Sequence, residues 1–292
     1  MSDPVLVVGA TGQQGGAVAR ALRAAGIPVR ALVRDPAKAV VGEAVIGDLR
    51  DRESLAKAVD GVRAVFSVQM PELKDGGYDF DGELRQGVNL IEAARAAGVP
   101  QFVHSSVSGS DRLAQAPGDR WQPLAPYYDA KAGVEEAVRE AGFALWTLVK
   151  PAFFMENFLL SAKYLVPRGA AGGLATVLKP ATRLSLVAVE DIGAAAAAAI
   201  AEPQRFHGVE LELAGDYLSM TEIAAVLSKA LGVPLTAPDM TEREALAAGA
   251  PAYSVLPMEL MNIVGQPARP EFARALGIPL TSFAAWAHDQ MK

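Results

Sequence analysis

The sequence predicts an α/β protein, a doubly wound parallel sheet with a smaller, mainly helical C-terminal lobe. Three observations carry this expectation. Short apolar runs alternate with helical patterns through the first half of the chain, a glycine-rich turn joins the first run to the first helix, and the rhythm changes after Lys150-Pro151. The runs are mostly continuous rather than alternating, as parallel strands covered on both faces require. Strand, helix and strand repeated in this way define a Rossmann-type sheet.

In chain order the strand candidates are residues 5–8, 29–33, 44–46, 64–68, 102–105 and 145–149. Helices fill the gaps and stop at glycine, residues 17–25 before Gly26 and 84–97 before Gly98, with Leu84, Val88 and Ile91 on one face of the second. Residues 168–174, rich in glycine and alanine, read as a mobile loop. Beyond it, 184–189, a helix opening at Asp191 and a strand at 209–213 are expected to return to the same sheet, and 221–231 is a further helix. The expected division is therefore a nucleotide-binding domain of residues 1–150 plus about 185–214, and a lobe of 151–184 plus 215–292 for a substrate or partner.

Composition narrows the function. The 292 residues are 51% hydrophobic and 21% charged, as in a soluble globular protein. The formal net charge is −6 with both signs interspersed, which speaks against direct binding to nucleic acid or an anionic membrane. The absence of cysteine excludes disulfides, thiolate metal sites and cysteine nucleophiles, and the three histidines are scattered, so no metal is expected. The alanine-rich apolar run at 192–201 is far shorter than the roughly 20 residues that span a bilayer. With a core strand opening at Val5 in place of a signal peptide, the expected location is the cytoplasm.

Gly9-Ala10-Thr11-Gly12-Gln13-Gln14-Gly15 lies between the first strand and the first helix. Glycines there permit a tight turn and a close backbone approach to a pyrophosphate, whose charge is met by the first amides of the helix. The second strand ends in Arg34, where a site specific for NAD commonly carries an acid for the ribose hydroxyl. A guanidinium grips a 2′-phosphate through two charge-assisted hydrogen bonds, and Lys38 adds a positive charge nearby, so the expected cofactor is NADP(H).

The loop GATGQQGG, the segment ALVRDP, Gly47-Asp48-Leu49-Arg50-Asp51, Lys131, Phe154-Met155-Glu156-Asn157-Phe158 and the helix start at 189–192 together resemble the NmrA-like family of atypical short-chain dehydrogenase/reductases. The likeness is greatest to its NADPH-sensor branch and runs over nearly the whole chain. It implies that Asp48 and Leu49 flank the adenine, with Asp48 accepting from the amino group. It also implies that Pro151 and Phe153 follow the sixth strand near the nicotinamide, with Phe154, Met155 and Asn157 at the substrate pocket. Core packing is the competing reading for the two phenylalanines, and a turn-forming role is the competing one for Asp48.

Tyr127 and Lys131 have the Tyr-x-x-x-Lys spacing of short-chain dehydrogenases. At i and i+4 the side chains share a helical face, so the ammonium is expected to lower the phenol's pKa and to bind the nicotinamide ribose. Tyr128 is a second candidate. Val107 stands where the resemblance would align a catalytic serine, leaving Ser105, Ser106 or Ser108 to substitute, or none. His104 reads as a hydrogen-bonded core residue. Two functions remain: an NADPH-dependent reductase of a small quinone or carbonyl compound, or a non-catalytic NADP(H) sensor acting on a regulatory protein partner through the 168–173 loop. A nucleotide-sugar epimerase is weaker, because the C-terminal lobe lacks a basic cluster for a second pyrophosphate.

Overall fold

The structure is a computed structural model that describes residues 3–38, 41–74 and 76–291. The chain divides into two compact units. The first comprises the residues up to Ser110, Pro126–Lys150 and Val189–Leu211, and the second Asp111–Ala125, Pro151–Ala188 and the residues from Glu212 onward.

Strands β1 (Val5–Val7), β2 (Val29–Val33), β3 (Glu43–Ile46) and β4 (Ala64–Ser67) are followed by a hairpin, β5 (Glu72–Lys74) and β6 (Gly77–Asp79), and then by β7 (Gln101–Ser105) and β8 (Leu145–Pro151). Two more, β9 (Phe153–Phe154) and β10 (Arg183–Val187), precede β11 (Val209–Leu213) and β12 (Asp216–Ser219). The large sheet has the order β11-β8-β7-β4-β1-β2-β3, and its pairings from β3 through β8 are parallel. The order reverses at β1, which pairs with β2 on one side and β4 on the other, and ligands of such sheets bind at the carboxyl ends beside that switch point.

The helices of the first unit are α1 (Gln13–Ala24), α2 (Arg52–Val59), α3 (Phe80–Ala96), α4 (Ala125–Glu140), α5 (Val189–Ala201) and the single turn α6 (Pro203–Phe206). Its core packs Leu6, Val65, Phe102 and Leu148 of the sheet against Leu55, Leu90 and Val138 of α2, α3 and α4. Helix α1 buries Ala17, Val18 and Leu22, and turns off at Gly26, where φ is +72° and Ile27 donates back to the Leu22 carbonyl. Helix α5 lies directly on it, since a Cβ at Gly193 would stand 2.7 Å from the Ala17 carbonyl oxygen.

The second unit holds α7 (Met220–Leu231), α8 (Glu242–Ala248), α9 (Ala252–Val264), α10 (Pro270–Ala275) and α11 (Phe283–Gln290) around Phe158, Leu186, Met220, Met258 and Phe283. It also contains a sheet of order β12-β10-β9. This corrects the expectation that 184–189 rejoins the large sheet: Leu186 and Val187 pair with Phe153 and Phe154, while Arg183–Leu186 pair antiparallel with Asp216–Ser219. An apolar run specifies burial on both faces but not the neighbouring strand, and β12, short and polar, carries no sequence signal. The 209–213 strand does join the large sheet, and α5 opens at Val189 rather than Asp191. The glycine-rich segment contains a single 3₁₀ turn, Ala170–Gly172. Among the described residues no helix is long and apolar enough to cross a membrane.

Candidate functional site

The glycine loop leaves β1 and enters α1 within five residues. Gly9 is left-handed (φ +69°), and a Cβ there would touch Val68 Cγ1 at 3.0 Å, beside the end of β4. Gly15 has no room at all, since a Cβ would lie 2.3 Å from the Gly9 carbonyl oxygen and 2.5 Å from that of Val8. Its missing side chain is what seats α1 against the loop. Gly12 is the N-cap, extended and without a side-chain cap, and no acid stands in the first turn. By contrast α2 and α3 open on Asp51 and Asp79, each accepting a first-turn amide. An α1 start with neither cap nor acid fits a bound phosphate group, because its first amides point out of the helix and its dipole favours negative charge. Thr11, Gln13 and Gln14 are exposed around it or part of its first turn, and Gln14 Oε1 accepts from Ser105 Oγ at 2.7 Å, tying the loop to the end of β7.

Arg34 follows β2 with its side chain 71% exposed. Its NH1 donates to Glu72 Oε1 at 3.1 Å, and the same carboxylate accepts from Arg50 NH1 at 3.1 Å through Oε2. Arg50 is held from behind by Asp48, Nε to Oδ1 at 3.0 Å and NH2 to Oδ2 at 2.7 Å. Hydrogen bonding to Arg50 brings the Asp48 carboxyl down to about 2, and Oδ1 also accepts from the Arg50 amide, so the turn-forming role of Asp48 is present in full. Leu49 packs against the core of the first unit, its carbonyl accepting from Asn89. Lys38 is exposed, in a turn closed onto Asp35. Arg50 and Glu72 escape a sequence reading because only the folded sheet brings them to Arg34.

The expected electronic coupling of Tyr127 and Lys131 is corrected by a third group. Both residues lie on α4, but Lys131 Nζ is paired with Glu83 Oε1 of α3 at 2.5 Å and stands 5.7 Å over the centre of the Tyr127 ring. The ammonium meets the ring face, and the carboxylate compensates its charge. Burial, and then the Glu83 charge, raise the Tyr127 phenol well above its ordinary pKa of 10.0 instead of lowering it. Burial, with Tyr127 beside it at 5.1 Å between ring centres, pushes Tyr128 up to about 12. Both are therefore phenols, able to donate a proton, and not phenolates. Glu83, buried with Oε2 lacking a hydrogen-bond partner, was invisible in the sequence because it lies on another helix, 48 residues from Lys131.

The strand-end serines separate by partner. Ser105 is engaged with Gln14, Ser106 donates to Glu135 Oε1 at 2.6 Å, and Ser108 is buried with its hydroxyl unpartnered. Ser108 is thus the one of the three whose hydroxyl no other residue occupies. His104 is in β7, buried, with Nδ1 3.2 Å from Ser67 Oγ. Burial, reinforced by the Lys131 charge, brings its pKa down to about 3 from 6.5. A neutral core histidine of this kind binds fewer protons than it does unfolded, so it contributes stability that is lost as pH falls from 6.5 toward 3. Urea unfolding between about pH 7 and pH 5 is expected to show a slope approaching about 1.4 kcal/mol per pH unit that His104→Gln removes; an equal slope in both proteins would refute the assignment.

In the second unit, Phe153 and Met155 lie in the apolar core, the Phe153 ring tilted against those of Phe158 and Tyr164, and Met155 fully enclosed. Phe154 and Asn157 are partly exposed, and Pro151 is the buried last residue of β8. The packing of Phe153 and Met155 therefore accounts for both residues without a ligand. Among the described residues there is no group of three or more His, Asp or Glu suited to a metal ion.

A glycine turn at the switch point of a sheet ordered this way, opening an uncapped helix, defines a Rossmann-type α/β protein. A family model described as the NmrA-like family matches residues 1–264, and the chain belongs to that family. It is 31% identical to an NAD(P)H azoreductase of Xenophilus azovorans, over 93% of this chain and 97% of the relative. Its fold matches the NADPH-dependent quinone oxidoreductase of Escherichia coli at a TM-score of 0.76 and 25% identity, covering 99% and 100% of the two chains. It matches the triphenylmethane reductase of a Citrobacter species, crystallised with NADP(H), at a TM-score of 0.80 and 21% identity, over 99% and 100%.

Proposed function

We propose that this protein is an NADP(H)-dependent reductase of a small quinone or carbonyl compound. The observation that carries the reading is the uncapped, glycine-lined start of α1 together with the arginines beyond β2 and β3, in a chain whose relatives include an NAD(P)H azoreductase over nearly their full length. Gly9, Gly12 and Gly15 let the backbone approach the pyrophosphate, with Thr11, Gln13 and Gln14 around it. Arg34, supported by Lys38, takes the 2′-phosphate, and Asp48 and Leu49 the adenine. Lys131 reaches the ribose, and Pro151 belongs beside the nicotinamide, with Phe154 and Asn157 on the substrate side, while Phe153 and Met155 are core residues. The bound cofactor supplies hydride.

Tyr127 then serves as proton donor: the phenol stays protonated across the working range, and its raised pKa makes it a weak acid suited to an easily reduced acceptor. Without a serine at position 107, a developing oxyanion lacks a donor of the kind worth about 10²–10³ in rate. Quinones, whose reduction is intrinsically easier, suffer least from that loss. NADPH oxidation followed under anaerobic conditions is expected to accelerate with small quinones and little with aliphatic ketones. Tyr127→Phe should slow it by about tenfold or more with cofactor affinity nearly unchanged. If no quinone accelerates oxidation while NADPH binds tightly, the chain is instead a non-catalytic NADP(H) sensor acting through a regulatory protein partner, a reading favoured by the pairing of Lys131 with Glu83.

A further inference from the structure

We propose that Glu72 is a built-in competitor for the 2′-phosphate, occupying the Arg34 and Arg50 guanidinium groups and thereby setting how strongly the protein distinguishes NADPH from NADH. The inference rests on the reading that Arg34 receives that phosphate.

The geometry is that of an anion site already holding an anion. One carboxylate bridges two guanidinium groups that come from the ends of different strands, with both contacts at 3.1 Å. Two arginine forks converging on one oxyanion are the arrangement that favours a phosphate monoester, which brings more oxygens and more charge than a carboxylate. Arg50 does not depend on Glu72 for its pose, because Asp48 holds its Nε and NH2. Its NH1 is thus presented to whichever anion arrives. Arg34 is 71% exposed, Arg50 59% and Glu72 40%, so the bridge faces solvent and is of the weak, exchangeable kind.

Glu72 sits in the short β5–β6 hairpin, opposite Asp79. The Glu72 side chain is 40% exposed, so its carboxylate can turn out to solvent when it is displaced. A cofactor with a 2′-phosphate must break two ion pairs and meet the repulsion of Glu72. A cofactor with a 2′-hydroxyl need break neither, and an acid near the ribose is a favourable partner for that hydroxyl. Glu72 consequently narrows the preference that Arg34 creates, allowing both dinucleotides to bind.

Calorimetric titration with adenosine 2′,5′-bisphosphate and with AMP isolates this end of the cofactor. Glu72→Gln is expected to tighten the bisphosphate by about three- to thirtyfold, the range for one or two exposed ion pairs, and to change AMP by less than about twofold. Glu72→Ala should act in the same direction, and the gain should shrink in high salt. Arg34→Ala, run in parallel, should weaken the bisphosphate by about tenfold or more. If Arg34→Ala weakens it while neither Glu72 variant raises the ratio of bisphosphate to AMP affinity, the competitor role is overturned and the Arg34 reading stands. If Arg34→Ala has no effect, the reading beneath falls and the inference falls with it.

Discussion

Gly15→Ala is expected to destabilise the first unit by about 3 kcal/mol and to weaken NADP(H) binding by about a hundredfold. The added Cβ would lie 2.3 Å from the Gly9 carbonyl oxygen, 2.4 Å from its carbon and 2.5 Å from the Val8 oxygen, all backbone atoms of the turn that the cofactor must approach. No rotamer relieves such a contact. Either α1 slides off the loop or the loop opens, and a displacement near 1 Å at the helix start moves the amides away from the phosphate. Gly77→Ala is the control, because a Cβ there meets nothing closer than 4.0 Å and needs no unusual backbone angle. Thermal unfolding and NADPH titration of the two variants check the expectation. An unaltered Gly15→Ala protein would mean that the helix and loop are not packed as described.

The second large effect is expected at Glu83. Glu83→Leu should lower stability by about 3–5 kcal/mol, the cost of leaving one member of a buried pair without its partner. Side-chain exposure is only 2% for Glu83 and 11% for Lys131, so water replaces little of what the carboxylate supplied. The double variant Glu83→Leu/Lys131→Met should recover most of the loss, since replacing both charges with apolar groups is often neutral. The same double variant should remain inactive if Lys131 serves the ribose. Chemical denaturation of the two single variants and the double one forms a complete cycle. A coupling energy near zero would contradict the pairing, while a large coupling with full activity in the double variant would remove Lys131 from the site.

Much of the fold is legible in the residues because it is written in local pattern. Residues 29–33 read as a strand and are β2, and the continuous runs at 64–68 and 102–105 are strands of the parallel sheet. The glycine turn is equally local, since the spacing from Gly9 to Gly15 fixes which backbone atoms approach one another. Where pairing was needed the pattern fell short. Arg183–Val187 is a buried strand in either sheet, and nothing in its own side chains distinguishes β9 and β12 from the edge of the larger one. The candidate site divides the same way. Tyr127 and Lys131 are four residues apart and share a helix, so their proximity followed from spacing. Their electrostatics did not, because Glu83 approaches from another helix.

The sequence by itself determined the family, the Rossmann-type sheet, the glycine turn between β1 and α1 and the cation after the second strand. These depend on residues within one turn or one strand of each other, where covalent connection already restricts the geometry. The tertiary structure alone decided which charges meet. Glu72 reaches Arg34 and Arg50, Glu83 claims Lys131, and Ser67 receives His104, each across a separation of 22 residues or more. The physical reason is that a side chain's charge and pKa are set by what lies within a few ångströms of it, and for these groups those neighbours come from elements that only folding brings together.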